Sequence, residues 1–173
     1  MRHTLSILVE NHYGELARIV GLFSARGYNI ESLTVARTLD PELSRMTIVV
    51  DVDSTQRLQV IKQMNKLINV LQANDLTDAP AVIRELVLLR IRTSQESRTA
   101  VLKEAEIFGG RVVDSSTEGF AIEVTGDPEK LGEFIDVMGA YGEVEVTRSG
   151  ALAIALESKK LRLQPPVPTK AAV

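Results

Sequence analysis

The chain has 173 residues, of which 45% are apolar and 25% are charged, as is ordinary for one globular domain or two small ones. The net charge of −3 argues against a general nucleic-acid binder, and the absence of cysteine excludes disulfides, thiolate metal sites and a cysteine nucleophile. No stretch approaches the ~20 apolar residues of a membrane span, and no N-terminal segment has the pattern of a leader. We therefore expect a cytoplasmic, soluble protein that does not enter a membrane.

The N-terminal part of the chain predicts a strand followed by a helix. Apolar and polar residues alternate through the first ten positions, which is typical of a half-buried strand. A helical spacing follows and ends at Gly27, since glycine readily takes the left-handed conformation that terminates helices. The residues expected on the buried side of this helix are Leu16, Ile19, Val20 and Phe23.

The next stretch predicts a hairpin, a second helix and a short strand. The hairpin strands lie at about 28–37 and 46–52, Asp53 is the expected N-cap of the helix, and the short strand lies at 70–76. The residues expected on the buried side of the helix are Leu58, Ile61, Met64 and Ile68. The order βαββαβ is that of ferredoxin-like α+β domains, and we assign residues 1–77 to the first of them.

The same element order returns after a predicted linker at 77–80. We expect a strand, a helix capped by Thr93 and Glu96, a hairpin, a helix begun by Asp127, and a final strand. Leu152, Ile154 and Leu156 alternate with other residues and favour one more strand. We therefore predict two ferredoxin-like βαββαβ domains in tandem, the second at 78–158, followed by a disordered tail at 159–173 that is rich in lysine and proline.

The turn between the first strand and the first helix is a candidate binding site for an amino acid. Asn11 carries an amide that both donates and accepts, and Gly14 lets a ligand approach the start of the helix. The N–H groups from Tyr13 through Glu15 to Leu16 would face the carboxylate of the ligand at the positive end of the helix. The alternative is that Asn11 and Gly14 only shape the turn and cap the helix, and these residues alone do not separate the two interpretations.

Asn29 and Ile30, just beyond Gly27, are a second candidate segment. In the sheet of a ferredoxin-like domain the second strand lies at an edge, and two such edges can pair across a two-fold axis. In such a homodimer, Asn29 and Ile30 of one chain would close the pocket that begins at Asn11 of the other chain.

The sequence offers little for catalysis. His3 and His12 are its only imidazoles, no glycine-rich phosphate loop is present, and the carboxylates fall in turns and on predicted polar faces. We expect a chain that is not an enzyme by itself and that binds neither a metal nor a cofactor. An RNA-binding module is a rival interpretation, against which the acidic balance and the lack of aromatic residues on the central strands argue.

Three stretches of the first domain resemble the small regulatory subunit of acetohydroxyacid synthase (acetolactate synthase). They are Leu-Val-Glu-Asn-His-Tyr-Gly-Glu-Leu-Ala-Arg-Ile at 8–19, Gly-Leu-Phe-Ser-Ala-Arg-Gly-Tyr-Asn-Ile-Glu-Ser-Leu-Thr-Val-Ala at 21–36, and Leu-Ser-Arg-Met-Thr at 43–47. The N-terminal domain of that family is an ACT domain, which binds amino acids and regulates metabolic enzymes. The resemblance extends over the whole chain, because the family also has a second ferredoxin-like domain.

The resemblance implies a non-catalytic subunit of branched-chain amino-acid biosynthesis that activates a large catalytic subunit and confers feedback inhibition by L-valine. Thiamine diphosphate, Mg and FAD are expected only on that catalytic partner. The implied effector site lies at the interface of an ACT homodimer, with Asn11, Gly14, Asn29 and Ile30 as its residues and Leu16 against the valine side chain. A rival hypothesis is a free-standing ACT-domain sensor that controls another enzyme or a transcription factor.

Overall fold

The computed structural model describes residues 1–156, and the tail predicted for 159–173 lies outside the described residues. The first half of the chain contains β1 (Arg2–Glu10), α1 (Glu15–Ser24), β2 (Ile30–Arg37), β3 (Leu43–Asp51), α2 (Ser54–Met64) and β4 (Val70–Asp75). The second half contains β5 (Ala81–Thr93), α3 (Arg98–Ile107), β6 (Arg111–Ser115), β7 (Gly119–Gly126), α4 (Pro128–Gly139), β8 (Gly142–Arg148) and β9 (Leu152–Ala155). The predicted order βαββαβ is confirmed in both halves, with β9 added at the end.

The first sheet has the order β2-β3-β1-β4, and all of its neighbouring strands are antiparallel. Alternate residues of β1 and β3 point to one face, where they meet the buried sides of α1 and α2. Fully buried Ile7, Phe23, Ile48 and Met64 lie in this core. Since β2 pairs only with β3, it lies at the edge of the sheet, as the sequence predicts.

The second sheet has the order β6-β7-β5-β8, and a separate apolar core lies between it and the helices α3 and α4. Ile91, Ile122 and Phe134 are fully buried there. Asp127 is the N-cap of α4 and its side chain accepts from the N–H of Glu129, as the sequence predicts for an Asp-Pro start. Two independent cores support the tandem ferredoxin-like architecture.

A ribbon formed by β9 and the first residues of β5 packs on the open face of the first sheet, opposite α1 and α2. Three side-chain hydroxyls make hydrogen bonds to the backbone of β9 and of Ala151 just before it: Thr34 Oγ1 donates to Ala151 O (2.6 Å), Ser32 Oγ accepts from Ala151 N–H (3.0 Å), and Thr47 Oγ1 accepts from Ala153 N–H (3.3 Å). Ala151 and Ala153 are buried against the sheet. Hydrogen bonds and small side chains therefore join the two halves.

Gly150 allows the ribbon to approach this closely. Its φ is +81°, and a Cβ atom on it would lie 2.8 Å from Ser32 Oγ and 3.2 Å from Thr34 Cγ2. Any other residue would be strained in this conformation and would crowd the hydroxyls that bind the ribbon.

The buried side predicted for α2 is partly wrong. The helix ends at Met64 and buries Val60 and Met64, whereas Leu58 is exposed and Ile68 lies beyond the helix and is exposed. The end at Met64 removes Ile68 from the helical register. Asp53 does cap α2, since its carboxylate accepts from the N–H of Gln56 in a capping box.

The capping box predicted from Thr93 and Glu96 is also wrong. Thr93 is the last residue of β5, and its hydroxyl donates to Tyr141 O at 3.0 Å. The N-cap of α3 is Ser97, which makes no capping hydrogen bond through its side chain. The strand continues to Thr93 because this residue pairs with Gly142 of β8.

The alternation at the end of the chain does form a strand, β9, but its larger residues face outward. Leu152 and Ile154 are exposed, while Ala153 between them and Ala151 before them are buried against the first sheet. Within residues 1–156, no helix is long and apolar enough to cross a bilayer.

Candidate functional site

The turn after β1 has the geometry of an uncapped helix start. Gly14 is the N-cap of α1 with a φ of 84°, and no side chain caps the helix. Within residues 1–156, the N–H groups of Tyr13, Gly14 and Leu16 have no hydrogen-bond acceptor, whereas the N–H of Glu15 donates weakly to His12 O at 3.4 Å. Unpaired N–H groups at the positive end of a helix favour an anion such as a carboxylate.

The side chain and the N–H of Asn11 fix the conformation of this turn. Its Nδ2 donates to Pro41 O at 3.0 Å, its Oδ1 accepts from Ser44 Oγ at 3.1 Å, and its own N–H donates to Glu42 O at 2.7 Å. The side-chain amide can make up to four hydrogen bonds, so one N–H and one lone pair remain for a ligand. Shaping the turn and binding a ligand are therefore compatible roles.

The side chain of Glu15 is buried rather than open to a ligand. Glu15 is 4% exposed, and its Oε1 accepts from Asn69 Nδ2 at 2.6 Å and lies 3.2 Å from the guanidinium of Arg18. Its Oε2 is buried without a hydrogen-bond partner among residues 1–156. The predicted contribution of Glu15 to the site is thus limited to its backbone.

The side chains at the opening of the turn point to solvent. Tyr13 is fully exposed and Leu16 is 44% exposed, so the apolar surface of Leu16 is available to an aliphatic ligand. The sequence placed Leu16 on the buried side of α1, but Glu15 takes that position one residue earlier, in register with Ile19 and Phe23.

The structure does not bring Asn29 and Ile30 to Asn11 within one chain. Ile30 is opposite Val50 in the sheet, whereas Asn11 follows the end of β1 that is opposite Leu43. The seven residue steps from Leu43 to Val50 span about 23 Å along an extended strand. The two predicted segments therefore lie at opposite ends of the first sheet.

A cleft of about 620 Å³ lies between the two halves and was not predicted from the sequence. Glu85, which is 6% exposed, makes a two-point ion pair there with Arg148, with Oε1–Nε at 3.1 Å and Oε2–Nη2 at 2.5 Å. Arg2 pairs with Glu31 along the same wall. These charged groups are therefore paired with each other. The alternating pattern of the strands gave no signal for a cleft between two domains.

Family models match both halves of the chain. The model for the "AHAS small subunit-like ACT domain" matches residues 5–72, and the model for the "small subunit of acetolactate synthase" matches residues 84–157. The class of protein is therefore a tandem of ferredoxin-like domains of which the first is an ACT domain.

Individual relatives agree with the family models. The chain is 48% identical to a probable acetolactate synthase small subunit of Archaeoglobus fulgidus, over 92% of this chain and 100% of that protein. It is 44% identical to the acetolactate synthase small subunit of Mycolicibacterium smegmatis, over 88% of this chain and 90% of that protein. The crystal structure of the acetolactate synthase small subunit of Thermotoga maritima superimposes with a TM-score of 0.79 at 35% identity, covering 90% of this chain and 97% of that one. The chain belongs to the family of acetolactate synthase small subunits.

Membership of this family makes the chain a regulatory subunit with a catalytic large subunit as its partner. The predicted absence of catalytic machinery agrees with that role. The residues of the candidate effector site remain a prediction.

Proposed function

We propose that the chain activates the catalytic subunit of acetolactate synthase and confers feedback inhibition by L-valine through the turn at Asn11–Leu16. The observation that carries the proposal is the uncapped start of α1, where three N–H groups without acceptors stand beside the half-exposed side chain of Leu16. The carboxylate of valine would bind these N–H groups, and its isopropyl group would pack against the side chain of Leu16. Asn11 and Gly14 keep the roles expected from the resemblance.

The site requires a second copy of the chain. Antiparallel pairing of two β2 edges would set the start of one β2 against the end of the other. The end of β2 is close to Asn11, because Arg37 pairs with Ser44 and Ser44 donates to the Asn11 side chain. Asn29 and Ile30 of the partner would thus arrive at the Asn11 turn. The wide separation of the two segments within one chain is the reason to place the effector between two chains.

Valine would then regulate the enzyme by stabilising one arrangement of the homodimer. Its effect on the catalytic subunit cannot exceed its differential affinity for the two arrangements, which is typically ~1–3 kcal/mol for coupled sites. Thiamine diphosphate, Mg and FAD belong to the catalytic partner in this scheme, and we place the complex in the cytoplasm.

The test is the rate of acetolactate formation by the purified catalytic subunit, with and without this chain, as valine is titrated. We expect the wild-type chain to raise the rate and valine to lower it. Asn11→Ala and Gly14→Asp should activate normally but resist valine, because they remove an amide contact and place a negative charge where the carboxylate binds. Gly21→Ala, an exposed change on the same helix, is the matched control.

Two results would count against the proposal. If the wild-type chain does not change the rate, it is not an activator of that catalytic subunit. If Asn11→Ala and Gly14→Asp keep the valine response of the wild type, the effector binds elsewhere. Sedimentation velocity of each variant checks that the homodimer is intact.

A further inference from the structure

An apolar groove of about 380 Å³ runs between the end of β2 and the ribbon of β5 and β9. Val82 lies opposite Ile154 in the ribbon and shares its outward face with Leu152, while the residues between them face the first sheet. Leu152 and Ile154 are 58% and 64% exposed, and Leu156 just beyond them is 66% exposed. These neighbouring aliphatic side chains are far more exposed than the core residues of either half.

The same groove carries positive charge. Arg37, Arg45 and Arg84 line it, and no acidic residue does. Arg45 donates to Ser6 Oγ and Arg84 to Ile83 O, but none of the three has a carboxylate within 4 Å among residues 1–156. Beyond Leu156 the sequence adds further positive charge with Lys159, Lys160 and Arg162.

We propose that this groove docks an acidic segment of the catalytic large subunit, with apolar side chains against the ribbon and carboxylates on the three arginines. The inference rests on the proposed function, which requires that the two subunits bind each other. Arginine is enriched in protein interfaces, where lysine and acidic residues are depleted, and the fully buried centre of such interfaces is more apolar than their rim. Unpaired guanidiniums of this kind select an acidic partner and accelerate its encounter.

The charge and the side chains of the groove argue against a second copy of this chain or a nucleic acid as its occupant. The homodimer proposed above pairs the β2 edges, and a further two-fold contact through the groove itself would set the arginines of the two copies against each other. Single-stranded nucleic acid stacks its bases on aromatic side chains, and the ribbon offers only aliphatic ones.

The experiment measures the affinity of the full chain for the purified catalytic subunit by biolayer interferometry. We expect Arg84→Glu to raise the Kd at least ~10-fold, since each tenfold step corresponds to only about 1.4 kcal/mol of binding free energy. Lys103→Glu makes the same charge change on an exposed position of α3 and should leave the Kd unchanged. The wild-type Kd should also rise with ionic strength, whereas the Kd of Arg84→Glu should depend on it less.

A photo-crosslinking residue at position 154 gives a second, independent reading. We expect an adduct with a peptide of the large subunit that is rich in aspartate and glutamate. The groove is not the docking site if the wild type binds and activates while Arg84→Glu binds equally well. The same conclusion follows if the adduct joins two small subunits or nucleic acid. In either case the proposed function still stands. If the wild type does not bind the catalytic subunit at all, both fail.

Discussion

Removal of the Thr34 hydroxyl is the sharpest test of how the two halves are held together. It donates to Ala151 O at 2.6 Å in a partly buried position, and Ala151 N–H donates in turn to Ser32 Oγ. Thr34→Val keeps the shape of the side chain and removes only the donor. The carbonyl of Ala151 then loses its partner, which costs about 1–3 kcal/mol.

This energy would appear first as local opening of the ribbon, because the two cores are separate. Hydrogen exchange read by NMR at Ala151 and Ala153 should accelerate about 5-fold to 140-fold, since each 1.4 kcal/mol corresponds to a factor of ten. Amides in the centres of β1 and β7 should exchange as in the wild type.

Thr125→Val is the matched control, since Thr125 lies exposed on β7 and the described residues give its hydroxyl no hydrogen bond. It should leave exchange at Ala151 and Ala153 unchanged. If Thr34→Val also leaves exchange at those two amides unchanged, the hydroxyl of Thr34 does not hold the ribbon on the first sheet.

Three further changes test the backbone and the cleft. Gly14→Ala should lower the free energy of unfolding by about 1–2 kcal/mol in urea denaturation, because φ is 84° there, whereas Gly21→Ala in the same helix should be neutral or stabilising. Gly119→Ala should fail to give soluble folded protein on gel filtration, since its Cβ would lie 1.8 Å from a carbonyl oxygen of β5; folded protein with a wild-type melting temperature would contradict this. Arg148→Ala leaves buried Glu85 without its partner and should cost about 1–3 kcal/mol in the same urea assay, with Arg148→Lys recovering part of the loss.

The element order and the edge position of β2 could be predicted from the sequence because each depends on local signals. Periods of two and 3.6 residues mark the strands and helices, and Gly27 and Asp127 mark an end and a start. Once the order βαββαβ is recognised, the order of strands in the sheet follows from the fold.

The failures come from contacts that the local pattern does not contain. A glutamate at the start of a helix reads as a solvated charge, yet Asn69, distant in sequence, binds Glu15 and buries it. The outward face of β9 is set by Ser32 and Thr47, which accept from the N–H of Ala151, just before Leu152, and from the N–H of Ala153, between Leu152 and Ile154. In the candidate site, the residues of the turn could be chosen from sequence, but their hydrogen bonds to the loop between β2 and β3 could not.

The length of β5 has a consequence for regulation. Its first four residues pair with β9 on the first sheet, and the residues from Glu85 onward form the centre of the second sheet. One uninterrupted strand therefore connects the first sheet to the second core directly. Only the short segment 76–80 separates this strand from β4. A displacement of the ACT domain would be passed to the second domain as a tilt of the whole sheet, with little lost in a flexible joint.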